Sequence, residues 1–118
     1  MTQTQHTEEQ EIHRRIAEAV TAFQQSQISG AQCSINVSMQ PDAVVVTLRG
    51  VMSPAEKNYA KDRKARRLLE RFYEELFDTT RPMLETSVQE ILGQRVKRSR
   101  FAVDPESGDG VIVVTFAG

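Results

Sequence analysis

Apolar positions along the chain change their period several times, and each change marks an element. Ile12, Ile16, Ala19 or Val20, and Phe23 recur every three to four residues, the spacing of one face of a helix. Ahead of them, Thr7 and Gln10 fit a capping box, in which the hydroxyl accepts from a free helix N–H and the longer side chain reaches back. Glu8, Glu9 and Glu11 then fall where the helix dipole favours negative charge. The spacing predicts a helix of about five turns starting at Thr7, ended by Ser29-Gly30. The polar residues before it are read as a flexible N-terminus, 1–6, ahead of a single domain, 7–118.

At Cys33 the period drops to two. Cys33, Ile35, Val37 and Met39 alternate with Ser34, Asn36 and Ser38, which predicts a half-buried strand. Gln40-Pro41-Asp42 is turn chemistry. The β-branched run Ala43–Leu48 is the second strand of a hairpin. Val44, Val46 and Leu48 share one face and Ala43, Val45 and Thr47 the other; both are apolar, which predicts a central strand.

Gly50 ends that strand, and Ser53-Pro54-Ala55-Glu56 opens a helix. Ser53 is the cap, Pro54 the first helical residue, and Glu56 the far side of a capping box. The helix is predicted to reach Asp78, about 25 residues or ~37 Å. Ala55, Tyr59, Ala65, Leu69, Phe72, Tyr73 and Leu76 line one broad side, and Lys57, Lys61, Lys64, Arg67 and Arg71 another. Arg81-Pro82 breaks the pattern, because proline lacks an N–H and disfavours helix in the residue before it. A third helix carries Leu84, Val88 and Ile91 or Leu92, and stops at Gly93. Arg95–Val103 is the third strand, with Lys97, Ser99, Phe101 and Val103 on one face; Val111–Phe116 is the fourth, across a turn at Ser107-Gly108-Asp109-Gly110. The order α-ββ-αα-ββ predicts an α+β fold: a four-stranded, mainly antiparallel sheet of two β-hairpins with three helices on one face.

Charge changes this picture more than composition does. The net charge over 118 residues is −1, which gives no global pull toward nucleic acid or anionic lipid. Locally it is uneven: residues 57–71 hold seven Lys or Arg against two acids. Lys57, Lys61, Lys64, Arg67 and Arg71 are therefore the candidate partner-binding residues, with Arg49 and Arg81 near the helix junctions. The competing reading is a solvated face knitted by Asp62–Arg66 and Arg67–Glu70 pairs. Arg95, Lys97, Arg98 and Arg100 form a second basic patch. The visible aromatics fall on core stripes, so nucleic acid is the least favoured partner.

Enzymatic chemistry has no motif to rest on. Cys33 is the only cysteine, which excludes an internal disulfide; its apolar alternating face suits a structural thiol in a reducing, cytoplasmic setting. His6 and His13 lie in polar surroundings at no metal-ligand spacing, and no metal or cofactor is expected. Asp104, Glu106 and Asp109 crowd one loop without a calcium-loop pattern. No apolar run approaches the ~18 residues of a membrane span, so any work at a membrane is done from its surface. A small sheet with free edges and a long amphipathic helix suits a homodimer.

Two segments resemble a known family. Val46-Thr47-Leu48-Arg49-Gly50-Val51-Met52-Ser53-Pro54-Ala55-Glu56-Lys57 is similar to the LEG-V-L-T-P-A-E-K signature of the MpsC-like family, formerly a bacterial domain of unknown function. Arg81-Pro82-Met83-Leu84, followed by Val88–Val96, resembles its second signature, RP-x-L…V-E-x-L-T-G-R-K-V. The chain departs from the pattern at Arg49, where Glu is usual, at Ser53 for Thr, in Gly93-Gln94, which lacks the intervening Thr, and in its basic Lys97–Asp104 segment. The resemblance spans residues 8–117 and brings no catalytic residues with it. It implies a small soluble accessory protein linked to a Na+-translocating, membrane-potential-generating system or to inorganic-carbon transport, at the cytoplasmic membrane face. The expectation is therefore a non-enzymatic, homodimeric interaction module that meets an acidic protein partner or the membrane surface. The alternative is a sensor for a small anion.

Overall fold

The computed structural model describes the backbone of residues 2–28 and 33–117, and the side chains of residues 8–26 and 33–117. Helix α1 spans Thr2–Phe23 and continues as a π-helical segment, Gln24–Ile28. It is already under way at Thr2, so the helix does not start at Thr7; the Gln- and Glu-rich run is itself a good helix former. The stop expected at Ser29-Gly30 lies outside the described residues. The predicted stripe is the one that packs: Ile16, Val20 and Phe23 are buried, and Ile12 leans on the core.

Strands β1 (Ser34–Met39), β2 (Ala43–Arg49), β3 (Val96–Asp104) and β4 (Asp109–Phe116) form one antiparallel sheet in the order β1-β2-β4-β3. Both expected hairpins form, and their inner strands join, pairing Val44 with Val114 and Val46 with Ile112. That places β2 centrally, as its two apolar faces require. Strand β3 departs from the expected alternation. A register shift between Val96 and Arg98 turns Val96 toward the core alongside Ser99, Phe101 and Val103, and leaves Lys97 exposed. The extra residue of a bulge spares the sheet a buried ammonium.

Two helices follow β2, but they divide elsewhere than at Arg81-Pro82. Helix α2 covers only Pro54–Tyr59, and α3 runs unbroken over Arg63–Leu92 with Pro82 inside it. Between them Asp62 acts as a second N-cap, its carboxylate accepting from Ala65 N–H at 3.1 Å. Continuity through Pro82 follows from phase. Tyr73, Phe77, Leu84 and Val88 are all buried on α3, at spacings of four, seven and four. One helical stripe therefore passes the proline without resetting. Pro82 and Asp78 are exposed, so the carbonyl that proline leaves unpaired faces water. Nearby, the Thr79 hydroxyl donates to the Glu75 carbonyl and that of Thr80 to the Leu76 carbonyl, the kind of side-chain bond that accompanies helix bending.

Phe77 is the point where the layers meet. Its ring stands edge-on to Phe23 of α1 at 5.9 Å and against Phe101 of β3 at 5.5 Å, and Tyr73 meets Phe101 at 6.3 Å. Polar bonds fasten the rest of α3 to β3: the Ser99 hydroxyl, fully buried, donates to Glu85, and Gln89 accepts from Val96 N–H. Gly93 ends α3 in the left-handed conformation expected of it, at φ 65°.

Continuity of α3 has a direct test. Replacing Pro82 by Ala restores a helix N–H at an exposed position, and should raise the unfolding free energy in urea by about 2 kcal/mol, helix propensity outweighing the unfolded-state entropy lost with proline. A helix that ended at Arg81 would show no gain.

Candidate functional site

The basic residues are positioned by the strand-to-helix junction. Ser53 Oγ accepts from Glu56 N–H at 3.1 Å, and Glu56 Oε1 accepts from Ser53 N–H at 2.8 Å, closing the predicted capping box. The other oxygen of Glu56 accepts from the Tyr73 hydroxyl at 2.9 Å. One carboxylate thus starts α2 and ties it to α3. Burial pushes the Tyr73 phenol well above its ordinary pKa of 10.0, and the Glu56 carboxylate adds to the shift. Met52 N–H donates to the Gly108 carbonyl, and Gly50 N–H to Asp109, so the β3–β4 turn is held against the same junction.

The stem of Lys57 lies against that turn. Gly108 has φ +80°, and a Cβ there would come within 2.8 Å of Lys57 Cδ. The lysine stem therefore lies across a glycine that the positive φ of the backbone favours. After Ala60 the chain turns, and Arg66 Nε donates back to the Ala60 carbonyl at 3.2 Å, which satisfies the end of α2. Lys57, Asn58, Lys61 and Arg66 thereby line a groove of about 700 Å³ with Pro105 and Glu106. Three cations face one carboxylate in a volume of the size that small ligands occupy. Spacing within one helix could not signal Arg66, which joins the group through the turn at Ala60–Asp62.

The other predicted cations go elsewhere, so the expected single stripe is corrected. The turn rephases the helix, and Lys64, Arg67 and Arg71 form a separate face on α3 around Leu68, with a shallow cavity of about 440 Å³. Leu68 and Phe72 are 57% and 52% exposed. Tyr59, Phe72 and Tyr73 were all expected on the buried side; Tyr73 takes it, joined by Phe77, whereas Tyr59 and Phe72 stand exposed. Neither Asp62–Arg66 nor Arg67–Glu70 forms an ion pair. Arg81 belongs to a third group: it pairs with Asp78, lies over the Phe77 ring at 5.7 Å, and lines a cleft with Glu74, Arg98, Arg100 and Phe101. Arg49 stands exposed at the end of β2, beside Gly50. Arg98 and Arg100 of the second basic patch thus meet Arg81 and two acids.

The remaining candidates have structural employment. Cys33 is half-buried, and burial raises its thiol pKa, which works against a reactive thiolate. Asp104 accepts from Glu106 N–H and the Ser107 hydroxyl, and Asp109 from Gly50 N–H, so these carboxylates shape their turn. Among the described residues no group of three or more His, Cys, Asp or Glu side chains is placed to hold a metal ion.

Comparison with known proteins bears on what this surface serves. The family model described as Na+-translocating membrane potential-generating system (MpsC) matches residues 8–118. The chain belongs to the MpsC family, as its two signature segments suggested. Searches of curated proteins and of solved structures return no match. Among the described residues no helix is long and apolar enough to cross a membrane.

The Glu56–Tyr73 bond is testable without any partner. Tyr73→Phe should lose about 1 kcal/mol at neutral pH, the usual value of such a bond. Because the folded-state pKa of Tyr73 is raised, its protonated form contributes stability that is complete below pH 10.0 and lost as pH rises beyond it. Urea titrations should show the wild type's advantage over Tyr73→Phe shrinking above that pH; a constant advantage would contradict the bond.

Proposed function

We propose that this chain is a non-enzymatic accessory module of its Na+-translocating system, docking from the membrane surface onto an acidic segment of a partner component. The observation that supports this reading is the face of α3 where Lys64, Arg67 and Arg71 surround exposed Leu68 and Phe72. Cations bring an acidic partner in and orient it, and desolvated apolar anchors hold it. Two apolar residues are a small anchor for a lipid interface, where adsorption scales with buried apolar area. A protein partner therefore fits this face better than bare lipid. Arg49 and Arg81 lie away from the face, and Lys57 and Lys61 flank it across the turn.

The test is sedimentation with membranes from the native host, alongside protein-free anionic vesicles. Lys64→Glu/Arg67→Glu/Arg71→Glu should abolish membrane association with the circular dichroism spectrum unchanged. The wild type should sediment with native membranes and not with the vesicles. Retention of the triple variant would remove the electrostatic basis of the proposal, and equal binding to vesicles would move the target to lipid.

A second reading rests on the groove of Lys57, Lys61 and Arg66. Arg66 is held by the Ala60 carbonyl and the Lys57 stem lies across Gly108, so an anion would meet partly prearranged charge. A small-anion sensor should gain several degrees in melting temperature with phosphate, bicarbonate or a nucleotide, and Lys61→Ala should remove the gain. No stabilisation by any of them would eliminate this reading.

A further inference from the structure

The helices cover only one face of the sheet. Ile16, Val20, Phe77, Leu84 and Val88 pack with Val44, Val46, Leu48, Ile112 and Val114, the core-facing positions of β2 and β4. The alternate positions face the other way, where no described element packs on them. At their centre are Val45 paired with Val113 and Thr47 paired with Val111, the last 37% exposed. A sheet with one solvated face normally alternates apolar with polar residues. Here the middle of the outer face is β-branched and largely apolar. Apart from the β-branched Thr47 and Thr115, its polar residues lie at the margins: Ser34, Asn36 and Ser38 on β1, and charged residues on β3 and at the strand ends.

The charges at those margins are polarised along the strands. Register places Arg98 beside Thr115 and Arg100 beside Val113, near one end of the face. Asp104 and Asp109 pair at the opposite end, with Arg49 at the same level on β2. One end therefore carries Arg98 and Arg100, at the β3 edge where they also line the cleft with Glu74, Asp78 and Arg81, and the other carries one net negative charge. The aspartates are held there by their bonds to Glu106 N–H and Gly50 N–H.

We infer that this outer face is a homodimer interface, in which a second copy packs face to face about a twofold axis perpendicular to the strands. Symmetry and charge select that axis. Rotation about it lays β3 on the partner's β3 in reverse, so that the Arg98 end covers the Asp104 end twice over. A twofold axis along the strands would instead stack ends of like sign and leave Arg98 and Arg100 opposite neutral β1. The valines meet in the middle under either axis. An aligned sheet-on-sheet arrangement of this kind is an ordinary way to bury such a face. From strand spacing and rise, the four-stranded face measures ~19 by ~24 Å, or ~450 Å² per copy in projection. The pair thus covers ~900 Å², close to the ~1,000 Å² a specific interface requires, which predicts a reversible, concentration-dependent dimer. The docking face on α3 remains open in this arrangement, and the inference is independent of it.

Sedimentation velocity over a concentration series, on the full chain, tests this. The wild type should pass from monomer to dimer, and added salt should shift the transition to higher concentration. Val113→Lys should be monomeric throughout, with its fold verified by circular dichroism. Arg98→Glu/Arg100→Glu, its fold likewise verified by circular dichroism because Glu74 and Asp78 line the same cleft, should weaken the dimer at least tenfold by setting acid against acid. A wild type that stays monomeric would overturn the inference, as would a dimer that survives Val113→Lys. A dimer lost in Val113→Lys but unchanged in the arginine variant would overturn the axis.

Discussion

The continuity of α3 is the constraint on which the rest of this structure depends. A helix of 30 residues carries one apolar stripe past a proline, and that stripe is buried against two different partners, α1 and β3. Phe77 stands where they meet. Had the helix broken at Arg81-Pro82, its two halves could have tilted independently, and Leu84 and Val88 would not be held in phase with Tyr73 and Phe77. The cost of proline in a helix interior is about 3 kcal/mol, and here the ring and the carbonyl it strands are on the solvent side. Burial of Tyr73, Phe77, Leu84 and Val88 outweighs it, since each large apolar side chain contributes roughly 1.5–3 kcal/mol.

The break falls instead at Ala60–Asp62, where Asp62 caps a new helix, and its position shapes the surface. With α2 only one and a half turns long, its charges and those of α3 no longer share a phase. Lys57 and Lys61 turn into a groove that Arg66 completes, whereas Lys64, Arg67 and Arg71 frame Leu68. Glu56 links the two systems, because its carboxylate both starts α2 and receives Tyr73 from α3. A folding device and the layout of the cations are therefore one arrangement. Lys57 illustrates it: its charge faces the groove, and its stem is seated on Gly108 in the β3–β4 turn.

Local chemistry in the sequence was sufficient for much of this. Period-two alternation and the Gln40-Pro41-Asp42 turn located the first hairpin, Ser53-Pro54-Ala55-Glu56 located the start of α2, and Gly93 the end of α3. These signals act over a few residues, through caps, turns and strand pleat, and need no knowledge of distant contacts. The two signature segments around Ser53 and Arg81 likewise pointed to the MpsC family that the chain belongs to. The amino-acid sequence by itself thus determined the element types, their order and the family.

Tertiary structure decided which local signals prevail. Pro82 is a strong local breaker, yet burial along the whole of α3 overrode it; Thr7 is a good cap, yet the helix was already formed ahead of it. The bulge that turns Val96 inward and Lys97 outward exists because the core accepts one and not the other. Arg66 entered the cationic groove, and Phe72 left the core, only when the turn at Ala60–Asp62 set the relative phase of two helices. The open valine face, too, became visible only when the strand order showed which side the helices cover. In each case the deciding energy comes from contacts between residues far apart in the chain, which no short window of sequence contains.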